Sequence, residues 1–117
     1  MTNEPGFDHG ALAELRDLGG DELVAEVITA FLSEAASEVA ALHAAAAAAD
    51  PEALERVAHR FKSASRVVGA MAVSRYAEQL QLLGRAGSTE GAVQIAQALD
   101  AEFQLAEAEL IPLQEAA

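Results

Sequence analysis

Residues 58–70 read AHRFKSASRVVGA, and they hold the chain's single lysine, Lys62, three residues after a histidine, His59. A neutral imidazole is a nucleophile near physiological pH, and a phosphoryl group carried on it would bring negative charge. An ammonium nearby would stabilise that charge and its transfer. Lys62 and Ser63 follow His59 at i+3 and i+4, one turn along the same helical surface. Ser63 is small enough to leave room for a partner's active site. Arg56 lies one turn back and Arg66 two turns on. Four of the seven basic residues (Arg56, Arg60, Lys62, Arg66) thus share one stretch with only two acids, Glu52 and Glu55.

Apolar spacing and end signals predict the elements that hold this patch. A short helix follows Asp8, carries Leu12, Leu15 and Leu18, and stops at Gly19 and Gly20. Asp21 is placed to cap a long helix with Val24, Val27, Ile28, Phe31, Ala35 and Leu42 on one stripe, running through the alanine tract to about Ala49. The restart is Asp50 as N-cap, Pro51 at the first helical position and Glu52 in the first turn. The next helix buries Leu54, Val57, Ala58, Phe61, Ala64 and Val68 and ends at Gly69. Another spans about Ala72 to Ala86 with Val73, Tyr76, Ala77, Leu80 and Leu83 inward. GRAGS makes a turn with Ser88 as cap. The last helix presents Ala92, Ile95, Leu99, Phe103, Ala106 and Leu110, with Pro112 at or just beyond its end.

At the α-helical angle of about 100° per residue, His59 points roughly 160° away from the stripe of Leu54, Val57, Ala58, Phe61 and Val68. It faces solvent from mid-helix. Short links between long amphipathic helices imply antiparallel neighbours. The expectation is an all-α, antiparallel up-down four-helix bundle with a short additional N-terminal helix. Residues 1–117 would form one domain, with 1–7 a flexible N-terminal segment.

Composition agrees. Alanine is 29 of 117 residues and aromatics are 4%, which favours helix over strand. Net charge is −12, so the basic footprint of a nucleic-acid binder is lacking, and acidic membranes are disfavoured. There is no cysteine, hence no disulfide or thiolate chemistry. The N-terminus has neither the basic start nor the apolar run of a secretory signal. VAALHAAAAAA is shorter than the roughly 20 residues that span a bilayer. A soluble cytoplasmic protein is expected.

AHRFKSASRVVGA resembles the signature of histidine-containing phosphotransfer (Hpt) domains. That pattern is histidine, any residue, an apolar residue, lysine, glycine, two small residues, then an apolar residue and glycine. His59, Phe61, Lys62, Ala64, Ser65, Val68 and Gly69 fall in register. The segment from Phe7 to Ala35 resembles the family's N-terminal helix, acidic break and second helix, in pattern and length rather than by motif.

The resemblance implies a phosphorelay intermediate. His59 would accept a phosphoryl group from the aspartyl phosphate of a response-regulator receiver domain and pass it to another receiver's aspartate, with Lys62 offsetting the charge. The family often places a glutamine on the following helix beside the histidine. Gln81 matches that position, flanking its helix's core stripe, while Gln79 falls on the other flank. Ser63 departs from the family, which usually has glycine there, and the change bears on transfer rate and receiver range. Partners would be receiver domains and a hybrid sensor histidine kinase, with no nucleic acid and no membrane, and the chain a monomer.

Other features carry less. His9 and His43 are expected at the surface. No Glu-x-x-His pairs suit a bundle metal site, and GRAGSTEG lacks the lysine and spacing of a phosphate-binding loop. The chain should therefore not phosphorylate itself from ATP. No cofactor of its own is expected, Mg²⁺ being held by the receiver's carboxylates. Leu82, opposite its helix's core stripe, is a candidate for an apolar docking patch near His59. Two competing readings are a non-phosphorylated bundle that docks or dimerises on a signalling partner, and a degraded histidine-kinase core. The second would need more chain than 117 residues supply.

Overall fold

A computed structural model describes residues 6–115. Four helices follow one another: α1 (His9–Ala47), α2 (Pro51–Val67), α3 (Met71–Arg85) and α4 (Ala92–Glu115), with no strand among the described residues. Backbone contacts join α1 to α2, α2 to α3, α3 to α4 and α4 back to α1, while diagonal pairs stay apart. This ring of neighbours is the expected up-down bundle. Phe31, Phe61 and Phe103 meet at its centre, with ring centroids 5.8 to 6.2 Å apart.

The expected short N-terminal helix is the first part of α1, set off by a kink at Gly19 and Gly20, where Gly20 takes φ 73°. Asp8 caps it through Gly10 N at 2.9 Å. Leu12 is buried, but Leu18 is 80% exposed. Asp21 does not serve as the expected cap. Its carboxylate reaches back across the kink to accept from Arg16 Nε at 2.6 Å. Ahead of α1, Gly6 O accepts from Ala72 N at 2.9 Å and Asp8 N donates to Gly69 O at 2.7 Å, strapping this segment to the α2–α3 corner. Residues 1–5 of the expected flexible segment lie outside the described residues, and Phe7 is half-buried against His9.

The restart at Asp50 has the expected geometry, its side chain accepting from Ala53 N at 3.1 Å with Pro51 in the first turn. Three other ends differ. Ser88 accepts from Glu90 N and so shapes the turn, while α4 begins four residues after it at Ala92. Gly84, where the expected helix to about Ala86 overlaps the GRAGS turn, belongs to α3, and the turn starts after Arg85. Pro112 lies inside α4, which continues to Glu115. A proline in the last turn removes a bond where the ladder is already ending, and Gln114 Nε2 donates to Thr29 Oγ1 at 3.0 Å to tie that turn to α1.

Candidate functional site

The phase of α2 is set by what it buries. Leu54, Val57, Ala58, Phe61, Ser65 and Val68 point inward, each with another of the set three or four residues away. Ala64, expected inside, is exposed at the rim of an α1–α2 groove lined in part by Phe31, Ala35 and Phe61. Ser65 takes the inward place, with its hydroxyl fully buried and without a hydrogen-bond partner among the described residues. With Phe61 locked between Phe31 and Phe103, His59 is held outward two residues away, exposed as its angle requires.

The facing helix comes unusually close. A Cβ on Gly84 would sit 2.5 Å from Pro51 O and 2.7 Å from Glu55 N, so only glycine permits this approach of α3 to α2. One turn earlier on α3, Gln81 is 4% exposed, and its Nε2 lies 3.0 Å from His59 Nδ1. Gln81 Oε1 is buried without a hydrogen-bond partner among the described residues. An amide that turns over offers its oxygen instead, so Gln81 can serve either tautomer of the imidazole. His59 Nε2 makes no hydrogen bond among the described residues. Gln79 is exposed.

The other expected site residues are placed differently. Lys62 turns toward α3, its Nζ 3.7 Å from Glu78 Oε1 and its side chain only 20% exposed. Its carbonyl accepts from Ser74 Oγ at 3.3 Å. Ser63 is exposed one turn along α2 from His59, and Leu82, beside Gln81 on α3, is exposed at 53%. Thus the structure brings His59 and Gln81 into contact, leaves Ser63 open, and pairs Lys62 with an acid.

Spacing did not single out Glu55 and Arg85, which join α2 to α3 with Arg85 Nε 3.1 Å from Glu55 Oε2. The available signal was register: Glu55 stands four before His59 and Arg85 four after Gln81. Both line an open concavity of about 410 Å³ with Glu52, Arg56, His59, Arg60 and Gln81. Arg60 leans the other way, its Nη2 3.5 Å from Glu38 Oε2 on α1.

The remaining histidines lack this setting. His9 is exposed and 3.9 Å from Glu109 Oε2. His43, expected at the surface, is half-buried, its Nε2 held at 2.8 and 2.9 Å by both oxygens of Asp100 on α4. No group of three or more His, Asp or Glu side chains suited to a metal ion occurs among the described residues. Among them, no helix is long and apolar enough to cross a membrane.

Comparison with known proteins agrees with the geometry. The chain is similar to histidine-containing phosphotransfer protein B (HptB) from Pseudomonas aeruginosa PAO1, whose crystal structure superposes with a TM-score of 0.89 at 26% identity, covering 98% of this chain and 99% of that one. No curated protein matches in sequence. The Hpt domain model matches residues 26–109, a span that contains His59, Lys62 and Gln81, and the chain belongs to the Hpt domain family.

Proposed function

We propose that this protein relays a phosphoryl group between the aspartates of response-regulator receiver domains, carrying it on His59 Nε2. The observation behind this reading is the Gln81 amide on His59 Nδ1, which engages one ring nitrogen and leaves the other unbonded on an exposed face. Once the Gln81 amide turns over, so that Nδ1–H donates to Oε1 where the amide Nε2 now lies 3.0 Å away, the lone pair sits on His59 Nε2, where a nucleophile is needed. Nε2 forms the N–P bond as the acyl phosphate's P–O bond breaks and the receiver's aspartate leaves as carboxylate. Transfer to the next receiver runs the same exchange backwards.

Lys62 supports this chemistry by leaving Glu78 for the phosphoryl oxygens, Ser63 shapes access, and Leu82 belongs to the surface on which a receiver lands. The chain is a carrier rather than an autonomous kinase. It acts as a cytoplasmic monomer of one domain over residues 1–117, and it receives its phosphoryl groups through receivers fed by a hybrid sensor kinase. Any Mg²⁺ is held by the receiver's carboxylates.

The test needs no partner. The protein is incubated with phosphoramidate, and acid-labile, base-stable phosphate is mapped by mass spectrometry beside His59→Gln. Modification at His59 that vanishes in the variant is the expected result. A folded, helical protein that stays unmodified at His59 would instead be a docking module that keeps the bundle without the chemistry.

A further inference from the structure

Two ion pairs bracket the His59–Gln81 contact along the α2–α3 seam. On one side Arg85 of α3 meets Glu55 of α2 at 3.1 Å, and on the other Lys62 of α2 meets Glu78 of α3 at 3.7 Å. Because the helices are antiparallel, each pair stands about one turn from the histidine, and each cation is cancelled by an acid from the facing helix.

The geometry points to an exchange of partners. Given the phosphohistidine reading, Arg85 is a second phosphoryl ligand that Glu55 holds in reserve until the group arrives on His59. Glu55 and His59 are four residues apart on α2, so their Cβ atoms are about 5–6 Å apart. Arg85, with 61% of its side chain exposed, is free to swing that far. A phosphoryl group carries about −1.5 to −2 charges and three acceptor oxygens, against a single charge on Glu55, and a guanidinium binds it through two parallel N–H donors. The phosphoryl group therefore takes the guanidinium from the carboxylate. Lys62 offers only a point charge in a more covered pair.

The exchange changes what a partner meets. Unmodified, the concavity holds Arg56, Arg60 and Arg85 against Glu52 and Glu55, with Arg85 neutralised in place. Phosphorylated, it presents a free Glu55 one turn from a capped phosphoryl group. Receivers would thus distinguish loaded from empty protein by the Glu55 carboxylate as well as by the phosphoryl group.

The test compares wild type with Glu55→Gln, Arg85→Gln and the double variant, each loaded with phosphoramidate. In loading, Nε2 forms the N–P bond as the donor's P–N bond breaks and ammonia leaves. The ³¹P resonance of the phosphohistidine is then followed against pH. The charged and titratable groups that face it are Glu52, Glu55, Arg56, Arg60 and Lys62 on α2, Glu78 and Arg85 on α3, and Glu38 of α1 behind Arg60. Arg85→Gln should raise the titration midpoint by about half a unit or more, because a cation favours the dianion. Glu55→Gln should lower it, and lower it clearly less when Arg85 is already gone. Arg56→Gln, in the same concavity but without an ion pair among the described residues, should shift the midpoint equally with and without Glu55. Equal effects of Glu55→Gln in both backgrounds, or no effect of Arg85→Gln, would overturn the exchange and leave the carrier reading intact. A wild-type protein that takes no phosphate at His59 would overturn both, before any variant is needed. Arg56 and Arg85 are exposed and Glu55 is half-buried, and circular dichroism checks that each variant is folded.

Discussion

Replacing Gly84 by alanine tests the link between helix packing and the histidine. Glycine to alanine inside a helix ordinarily stabilises by about 1 kcal/mol. Here the added methyl would stand 2.5 Å from Pro51 O, 2.7 Å from Glu55 N and 3.1 Å from Glu55 Cα, all backbone atoms that no rotamer change can move aside. Restoring ordinary contact at 3.4 Å from a starting 2.5 Å requires α3 to retreat by 0.9 Å (3.4 − 2.5). Overpacking of this kind costs about 1–3 kcal/mol. Set against the propensity gain, the net is a loss of about 1 kcal/mol, or a Tm lower by about 4 °C. Gln81 travels with α3, and a 3.0 Å contact lengthened by that retreat is no longer a hydrogen bond. Thermal unfolding and the rate of His59 phosphorylation by phosphoramidate read the two consequences separately. Both should fall, the rate toward that of Gln81→Ala. A Gly84→Ala protein that is more stable than wild type and phosphorylated at the same rate would refute the argument, since propensity alone has the opposite sign.

Ser65→Ala should leave stability unchanged or raise it by about 1 kcal/mol in chemical denaturation, because it removes a buried hydroxyl that bonds to nothing; a clear loss would mean the hydroxyl has a partner. Gly69→Ala should cost about 2–4 kcal/mol, since φ is +85° and the new methyl would fall 2.3 Å from Asp8 O. Urea midpoints close to wild type would count against the tight strap. Ser63→Gly should lower Tm slightly, since glycine is about 0.5 kcal/mol worse than serine inside a helix, while speeding transfer from a phosphorylated receiver. An unchanged rate would show that the serine does not obstruct the approach.

Much of the bundle was legible because its signals are local. Asp50, Pro51 and Glu52 form a start signal within three residues, and the phase of α2 follows from apolar steps around Phe61, which is why the outward direction of His59 could be read. Where two small residues were adjacent, pattern chose wrongly: Ala64 and Ser65 both fit the stripe, and only the packing of α1 against α2 turns the serine in and the alanine out. Ser88 and Pro112 mislead for the same reason. Each carries a terminus-like preference, but tertiary contacts decide whether the helix stops. The pairings of His43 with Asp100, 57 residues away, and of Glu55 with Arg85, 30 residues away, depend on which helices become neighbours. The direction of Lys62 had the same dependence. Its spacing put it on the histidine's face, and Glu78 on the facing helix drew its ammonium across the seam.

The contact between His59 and Gln81 joins residues only 22 apart, both on the hairpin of α2 and α3. Loop closure over so short a span costs little entropy, and contacts this local are reached early in folding. During synthesis the hairpin is complete once residue 85 has emerged, before any of α4 has left the ribosome. The earlier α1 and the later α4 close the core from behind without contributing to the His59–Gln81 contact. Sequence drift along the outer surfaces of α1 and α4 is consequently insulated from the histidine's immediate environment, so that solubility, charge and attachment can change on that side of the molecule while the α2–α3 hairpin is inherited as a unit.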